Sequence, residues 1–500
     1  MKRLFIFAIG GTGSRVLKSL AMLLAAGVRS RSSTPYEVVP IIIDPHKSND
    51  DLKRTMSILN AYEKISEHVS GGSSRFFNTK IRTLDRIGLN SSPRPSTFTF
   101  ELQQVSSARF KNYVALETMS DASRALTEVL FSGDTVDQRG RTIPLIDVEM
   151  DIGFVGNPNI GSVVLNQFAE SQEFKEFANN FKEGDRVFII SSIFGGTGAA
   201  GFPVVLKNLR DASNSDLDGR SYLKNAVIGA LTVMPYFNIE SDKESPIRRS
   251  DFVSKTKAAL SYYKRNVTGN NSLNALYYIA DNYYGAPYKN DPGTGGQQND
   301  AHFVEVASAL AVIDFMGLDD RVLETVNGKA TKPIFREFAV RNAPEKLKFS
   351  DLHDESERML SAPLTKLYFM FEYLRDPRFE LNEKQHPWRT DAPEIDNTFL
   401  GSPFYRSHLS HFGDHFFQWL EELSRNRRGF APLILGNITN PIADKAPKKS
   451  IFKSFTYDHI DGELNKQTKK NQYPTPEQKL LAVFDSATTE LLSEFFAMKG

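Results

Sequence analysis

Short apolar runs, each followed by small or polar residues, recur along the first part of the chain. They are Leu4–Ile9, Val38–Ile43, Val187–Ile190, Ala226–Val233 and Leu276–Ile279. The runs are continuous and rich in β-branched residues, which is typical of strands buried on both faces. Segments with helical periodicity separate them, so the pattern predicts an α/β fold with a parallel sheet and helices on both faces.

The pattern changes after Ala301–Phe315, a mostly apolar segment that predicts a helix buried in a domain core. Beyond it lie helical patterns at Pro363–Leu374, Phe404–Leu423 and Pro476–Met498. We therefore predict a domain at residues 1–315, with an insertion at about 49–149 packed on its sheet. Residues 316–500 are predicted to form a mainly helical C-terminal region.

Composition excludes several classes of protein. The chain of 500 residues has 61 Lys and Arg against 60 Asp and Glu, and a net charge of +1 argues against a dedicated nucleic-acid binder. The absence of cysteine excludes disulfides, Cys-ligated metals and Cys nucleophiles. The run Leu4–Ile9 reaches Gly10 too soon for a signal peptide, and no apolar run is long enough to span a bilayer. We expect a cytoplasmic protein without a membrane span.

Candidate chemistry lies where the strand Val187–Ile190 leads into Gly195–Gly198 and then into the helical segment Ala199–Leu209. Strand, glycine turn and helix form an anion site, because glycines let backbone N–H groups approach phosphate oxygens and the helix N-terminus adds partial positive charge. One such turn is more simply a tight strand-to-helix connection. This chain, however, holds three in series.

The other two turns are Gly10–Gly13, after the first strand, and Gly153–Gly161, with the sequence GFVGNPNIG before a helical segment. Asn157 and Asn159 in the latter either cap the helix or contact phosphate, and the loop taken by itself favours the cap. Asp44 ends the second strand, where doubly wound folds place a sugar contact. A turn or capping role suits Asp44 equally well.

In order and spacing, these turns resemble the loops of the tubulin/FtsZ superfamily of GTPases, most closely those of divergent bacterial tubulin-like proteins. The run Phe194–Pro203 is similar to the family's signature loop, GGGTGTG followed by two small residues and a proline, with the central Gly-Gly-Thr-Gly intact. Gly10–Arg15 resembles the first phosphate loop, Gly153–Gly161 the γ-phosphate loop and Pro235–Glu240 the sugar-binding loop. The resemblance covers about residues 1–315.

The resemblance implies that the chain binds GTP or GDP with Mg²⁺, which phosphate oxygens and water largely hold. Asp281 and Asn282 take the place of a base-reading polar pair, with Asp300 or Glu305 as possible acceptors from guanine. Phe303 either stacks on the base or belongs to the core. Together with Asp44, the predicted nucleotide-binding residues are Gly10, Gly11, Thr12, Gly13, Ser14, Gly156, Asn157, Gly195, Gly196, Thr197, Gly198, Glu240, Asp281, Asn282 and Phe303.

The catalytic acid of the family follows the central helix and reaches the nucleotide of the next subunit. Asp351 is the predicted acid, because Leu347–Leu352 resembles the family's acid loop, and Asp319–Asp320 is the alternative. Both sites are equally compatible with helix-capping acids at exposed turns. In that case the protein would be a nucleotide switch that hydrolyses poorly.

The leading interpretation is a GTP-binding protein that hydrolyses GTP slowly, is regulated by self-assembly into a homo-oligomer or filament, and has protein partners. The alternative is a non-hydrolysing nucleotide-binding scaffold or switch that recruits other proteins. A Rossmann-type NAD enzyme fits less well, since the first turn lacks GxGxxG. His408, His411 and His415 share a predicted helix face, which suits a zinc or nickel site or, as we favour, a half-buried polar stripe.

Overall fold

The computed structural model describes residues 1–29, 35–46, 49–69, 74–87, 97–105, 108–136, 141–150, 154, 156–211, 220–236, 249–281, 299–338, 340, 344–377, 379, 386–426, 428–448 and 455–498. Within these ranges no helix is both long and apolar enough to cross a membrane.

A parallel sheet runs through the middle of the molecule. The strands, in chain order, are β1 (Lys2–Ile9), β2 (Tyr36–Ile43), β3 (Thr99–Phe100), β4 (Asp134–Val136), β5 (Thr142–Pro144), β6 (Arg186–Ser192), β7 (Val227–Val233), β8 (Ala275–Ile279), β9 (Thr325–Val326), β10 (Lys329–Ala330), β11 (Ile334–Glu337), β12 (Lys346–Leu347) and β13 (Gly429–Phe430). Among the described residues, the main sheet has the order β11-β8-β7-β6-β1-β2-β3, and every adjacent pair in it is parallel. The carboxyl ends of its strands therefore lie along one edge.

Helices connect the strands and continue after the sheet. The α-helices are α1 (Gly10–Ala25), α2 (Asp50–Glu67), α3 (Phe110–Tyr113), α4 (Asp121–Leu130), α5 (Pro158–Leu165), α6 (Gln172–Asn180), α7 (Gly196–Asp211), α8 (Arg220–Lys224), α9 (Arg249–Tyr263), α10 (Phe303–Gly317), α11 (Asp354–Arg375), α12 (Pro387–Thr390), α13 (Asn397–Leu400), α14 (His411–Arg425), α15 (Tyr457–Thr468) and α16 (Pro476–Phe496). Two π-helical segments, Lys264–Thr268 and Phe404–Ser410, extend α9 and precede α14.

Both faces of the sheet are buried, as the continuous apolar runs predict. On β1, the odd-numbered residues Phe5 to Ile9 belong to one hydrophobic core and the even-numbered residues Leu4 to Ala8 to another. Helices α5, α6, α7 and α9 cover the first face, and α1, α2 and α10 cover the second. The predicted α/β fold with helices on both faces is confirmed.

The C-terminal region is mainly helical, which also confirms the prediction. Its helices α11, α14 and α16 share the hydrophobic core that α1 and α10 form on the sheet. The indole Nε1 of Trp419 donates to Ser19 Oγ at 3.1 Å, which ties α14 directly to α1. The predicted boundary between residues 315 and 316 stays a prediction, as does the insertion at about 49–149.

Candidate phosphate-binding site

Each predicted glycine turn is also the beginning of a helix. Helix α1 begins at Gly10, directly after β1; α7 begins at Gly196, shortly after β6; and α5 begins at Pro158, after Gly156 and Asn157. The first turn of a helix leaves its backbone N–H groups without intrahelical acceptors. Its end also carries partial positive charge from the aligned peptide dipoles. The glycines therefore lie where free donors are available.

The three helix ends lie together. A Cβ placed on Gly10 would lie 3.4 Å from Thr197 Cβ and 3.6 Å from Gly198 N. A Cβ placed on Gly196 would lie 3.0 Å from the backbone nitrogen of Gly156. The turns thus form a row, with the Gly10 turn at one end, the Gly196 turn in the middle and the Gly156 turn at the other end.

Close approach explains why glycine occupies these positions. A methyl group on Gly196 would push the Gly156 turn away, and Gly10 has a φ of +71°, in the left-handed region that favours glycine. Around Gly11 the situation is different, since among the described residues no atom outside the adjacent turn of α1 would lie within 4 Å of a Cβ there. Gly11 therefore borders open space beside the row of helix ends.

At α1 and α5 the backbone donors of the first turn are not taken up by capping side chains. Ile9, at the N-cap of α1, cannot cap, and Asn157, at the N-cap of α5, makes no side-chain cap bond. The first turns of α1, α5 and α7, all fully described, contain no acidic residue. Asn157 instead directs its amide toward Thr135 Oγ1 at 3.5 Å. Uncapped N–H groups around open space are suited to binding an anion.

Polar and aromatic side chains lie beside the Gly10 end of the row. The guanidinium of Arg15 donates to the Tyr236 hydroxyl at 2.7 Å and pairs with Glu305 at 2.9 Å. The ring of Tyr236 lies 4.8 Å from that of His302. Burial, with help from Arg15 and Arg428, lowers the pKa of His302 to about 3, so this imidazole is neutral.

Arg15 belongs to a buried network of charges that continues into the C-terminal region. Lys18 and Arg54 supply further positive charges, and Glu422 on α14 pairs with both. Asp51 pairs with Arg54 at 3.0 Å and, together with Glu305, balances the positive charges. Burial raises the pKa of Glu305, and the neighbouring cations Arg15 and Lys18 oppose that shift.

The residues predicted to contact the base have protein partners. Phe303, the first residue of α10, packs against Phe338 and Phe430, with ring centroids 5.7 and 5.0 Å away. The carboxylate of Asp281 lies 3.3 Å from Arg428 Nε. The alternatives Glu305 and Asp300 pair with arginines as well, Asp300 with Arg425 at 2.9 Å. Glu240 and Asn282 lie outside the described residues. Their roles stay predictions.

Asp44 directly follows β2 at the same sheet edge. Its Oδ1 accepts the backbone N–H of His46 at 3.0 Å, which is a turn contact. Burial raises the pKa of Asp44 to about 6, and this hydrogen bond opposes the shift. The contact accounts for the local role of Asp44, and its role toward a sugar stays a prediction.

The two candidate catalytic acids lie at different ends of α10. Asp351 accepts the Lys348 backbone N–H at 2.8 Å, and the neighbouring Phe349 ring lies 6.0 Å from Phe430, which packs at the start of α10. Asp351 is therefore on the side of the phosphate turns.

Asp319 and Asp320 follow the end of α10. Asp320 pairs with Lys2 at 2.6 Å and with Arg186. Lys2 is the first residue of β1, and Arg186 is the first residue of β6. These contacts put the acid pair at the sheet edge opposite the phosphate turns. Hydrogen bonds from Arg321 lower the pKa of Asp319 to about 2, so its carboxylate is ionised at neutral pH.

The predicted histidine stripe is interrupted. His408 belongs to the π-helical segment, whereas His411 and His415 lie on α14 with their Nε2 atoms 3.2 Å apart. Ser57 Oγ lies 2.8 Å from His411 Nε2. Within the described part of the chain, no three His, Asp or Glu side chains form a group that could hold a metal ion.

Sequence patterns gave no indication of two features of the site. One is the buried charge network, whose members come from helices far apart in the chain. The other is Lys255 on α9, whose Nζ donates to the carbonyl oxygen of Gly156 at 2.6 Å. No motif surrounds this lysine, so only the tertiary structure relates it to the phosphate turns.

No protein-family model and no curated protein matches the sequence. Similar solved structures include CetZ from Methanosaeta thermophila, with 13% identity, a TM-score of 0.24 and coverage of 63% of this chain and 52% of that one. An empty FtsZ dimer from M. jannaschii has 15% identity, a TM-score of 0.24 and coverages of 56% and 45%. A substituted form of M. jannaschii FtsZ has 13% identity, a TM-score of 0.26 and coverages of 64% and 55%. The chain thus spans about half the length of these structures, and its function has to be inferred from the site.

Proposed function

We propose that the chain binds GTP, with its phosphates along the row of helix ends, and hydrolyses it slowly when subunits associate in the cytoplasm. The observation that carries the proposal is the convergence of three helix N-termini, of which those of α1 and α5 have no capping side chain, next to the open space beside Gly11. Several neutral donors can share the charge of a triphosphate without a Walker-type lysine loop. The order of the turns, which resembles that in the tubulin/FtsZ superfamily, supports a guanine nucleotide.

The nucleoside would lie at the Gly10 end of the row. Arg15, Tyr236 and His302 form a largely buried polar and aromatic group there, whereas the Gly156 end offers backbone donors. Mg²⁺ would be held by phosphate oxygens and water, where it would neutralise charge on the phosphates. The chain's own contribution is to orient the phosphates with main-chain N–H groups.

Hydrolysis that depends on assembly requires an acid that can reach a neighbouring subunit. Asp319 is ionised, half exposed and located at the sheet edge opposite the phosphate turns, so head-to-tail contact would bring it to the neighbour's nucleotide. These properties favour Asp319 over Asp351, whose support comes from its motif. The acid would orient or polarise the attacking water.

Phosphate release measured against protein concentration tests this function. We expect the rate per molecule to rise with concentration, because each site is completed by a second subunit. Asp319→Asn should remove this rise of the rate with concentration and leave GTP binding intact. Asp351→Asn should keep the rise if Asp319 is the acid. Turnover that is independent of concentration would contradict regulation by assembly.

A non-hydrolysing nucleotide scaffold is the second candidate. Protein contacts at both candidate acid sites favour the scaffold. Asp351 accepts a backbone N–H, and Asp320 pairs with Lys2 and Arg186. Bound GTP with no phosphate release at any concentration would establish the scaffold and exclude the GTPase.

A further inference from the structure

We infer that Lys255 distinguishes a nucleoside triphosphate from a diphosphate at this site, an inference that rests on the proposed nucleotide binding. Lys255 Nζ donates to the carbonyl oxygen of Gly156 at 2.6 Å. Gly156 has a φ of +68°, and a Cβ placed on it would lie 3.5 Å from the same Nζ atom. The ammonium group is therefore held against the Gly156 turn.

The order of the turns indicates which phosphate lies nearest to this lysine. The Gly10 turn adjoins Thr197 and Gly198, and Gly196 adjoins the Gly156 turn. Arg15, on the helix that begins at Gly10, and its partner Tyr236 mark the proposed nucleoside end of the row. A phosphate chain laid along the row would begin at the Gly10 end and place its terminal group at the Gly156 end, next to Lys255.

Helix α9 fixes the position of Lys255 relative to the row. Two turns further along α9, the buried Tyr263 donates its hydroxyl to the carbonyl of Ala199 on α7 at 3.3 Å. Its ring also packs edge-on against Phe202, with centroids 5.0 Å apart. Helix α9 is thus anchored on the helix whose first turn forms the middle of the row.

A lysine next to the terminal phosphate adds a positive charge that the backbone donors lack. Main-chain N–H groups carry only partial charge, whereas an ammonium group adds a full positive charge that attracts the phosphate in addition to donating hydrogen bonds. The terminal phosphate carries the most negative charge of a triphosphate, and a diphosphate lacks that group. Loss of the ammonium should therefore weaken triphosphate binding by about 10- to 100-fold and affect diphosphate binding little.

Competition against a fluorescent GTP analogue measures both affinities for the unmodified chain and for Lys255→Met. Lys257→Met is the matched control, because Lys257 is exposed on the same helix. Lys255→Arg keeps the positive charge and should retain most of the preference for GTP over GDP. Thermal unfolding of each variant monitors the fold, and the ratio of the two affinities is independent of the fraction that is folded.

The expected result is a GTP-to-GDP preference that falls about 10-fold or more in Lys255→Met and stays unchanged in Lys257→Met. An unchanged preference in Lys255→Met, or equal losses for GTP and GDP, would overturn this inference and leave the proposed function standing. Failure of the unmodified chain to bind either nucleotide would overturn the proposed function and this inference together.

Discussion

At Gly11 the chain leaves space where most residues would place a side chain. A Cβ there meets no atom of the described residues beyond its own helix turn within 4 Å, so Gly11→Ala should fold like the unmodified protein. The added methyl group would enter the space proposed for the phosphates. We expect GTP affinity to fall by about 10-fold, or about 1.4 kcal/mol, with an unchanged melting temperature.

The control for Gly11→Ala is Gly462→Ala in α15. Its Cβ also meets no atom within 4 Å, but it lies in the C-terminal region. Nucleotide titrations of both variants provide the comparison. Equal GTP affinities for Gly11→Ala and Gly462→Ala would contradict the position given to the phosphates.

Asp44 should make stability depend on pH. Its pKa is about 6 in the folded chain against an ordinary value of 3.8, so between these pH values the folded chain keeps a proton that the unfolded chain has lost. The free energy of unfolding attributable to Asp44 therefore falls as the pH rises from about 4 to about 6, and is level above that. The total change should be on the order of 1–3 kcal/mol.

Urea unfolding of the unmodified chain and Asp44→Asn at a series of pH values isolates this contribution. Other titrating groups are common to both proteins, so the difference between the two curves reports Asp44. We expect the difference to change with pH only below about pH 6. Parallel curves across the range would show that Asp44 titrates normally.

Among single residues, those in consecutive elements could be predicted from the sequence, and those brought together by tertiary packing could not. The glycine turns could be located from the sequence because strand, turn and helix are consecutive. Lys255 could not be linked to Gly156, since 99 positions separate them and only the packing of α9 on α7 brings them together. The cap that the sequence favours for Asn157 is wrong, because the Asn157 side chain makes no cap bond on α5, and its contact with phosphate stays a prediction.

At the scale of elements, buried charges link the first helix to the C-terminal region. Glu422 on α14 is 2% exposed, accepts hydrogen bonds from Arg54 and the backbone N–H of Ala301, and pairs with Lys18 at 3.6 Å. Glu422→Gln would leave two buried cations without that negative charge. We expect a loss of about 3–5 kcal/mol in the free energy of unfolding, measured by urea denaturation.

Glu421→Gln is the matched control, because the adjacent Glu421 is exposed on the same helix. It should change the free energy of unfolding by less than about 0.5 kcal/mol. Similar small effects of both substitutions would mean that the network does not stabilise the junction between α1, α2 and α14.

Whole elements were more predictable than their contacts. Continuous apolar runs gave the main strands, and helical periodicity gave α1, α10 and α16, because both signals are local. The charge network was not predictable, since its members are contributed by α1, α2, α10 and α14. The predicted histidine stripe requires a regular α-helix. The π-helical segment Phe404–Ser410 changes the angle around the helix axis between His408 and His411.

At the scale of the whole molecule, a single hydrophobic core includes residues from β1 to α16. Trp388 and Trp419, the chain's 2 tryptophans, are both buried in the C-terminal region, so fluorescence reports that half. Far-UV circular dichroism reports all helices and strands. We expect the two signals to give one coincident unfolding transition, as a shared core requires. Separate transitions would show that the two regions unfold independently.

Binding of GTP to nucleotide-free protein, measured by titration calorimetry with and without excess inorganic triphosphate, tests the central claim most directly. Because main-chain donors at three helix ends are proposed to hold the phosphate chain, we expect about one GTP per chain and displacement by triphosphate. An absence of GTP binding, or GTP binding that inorganic triphosphate does not weaken, would contradict the claim.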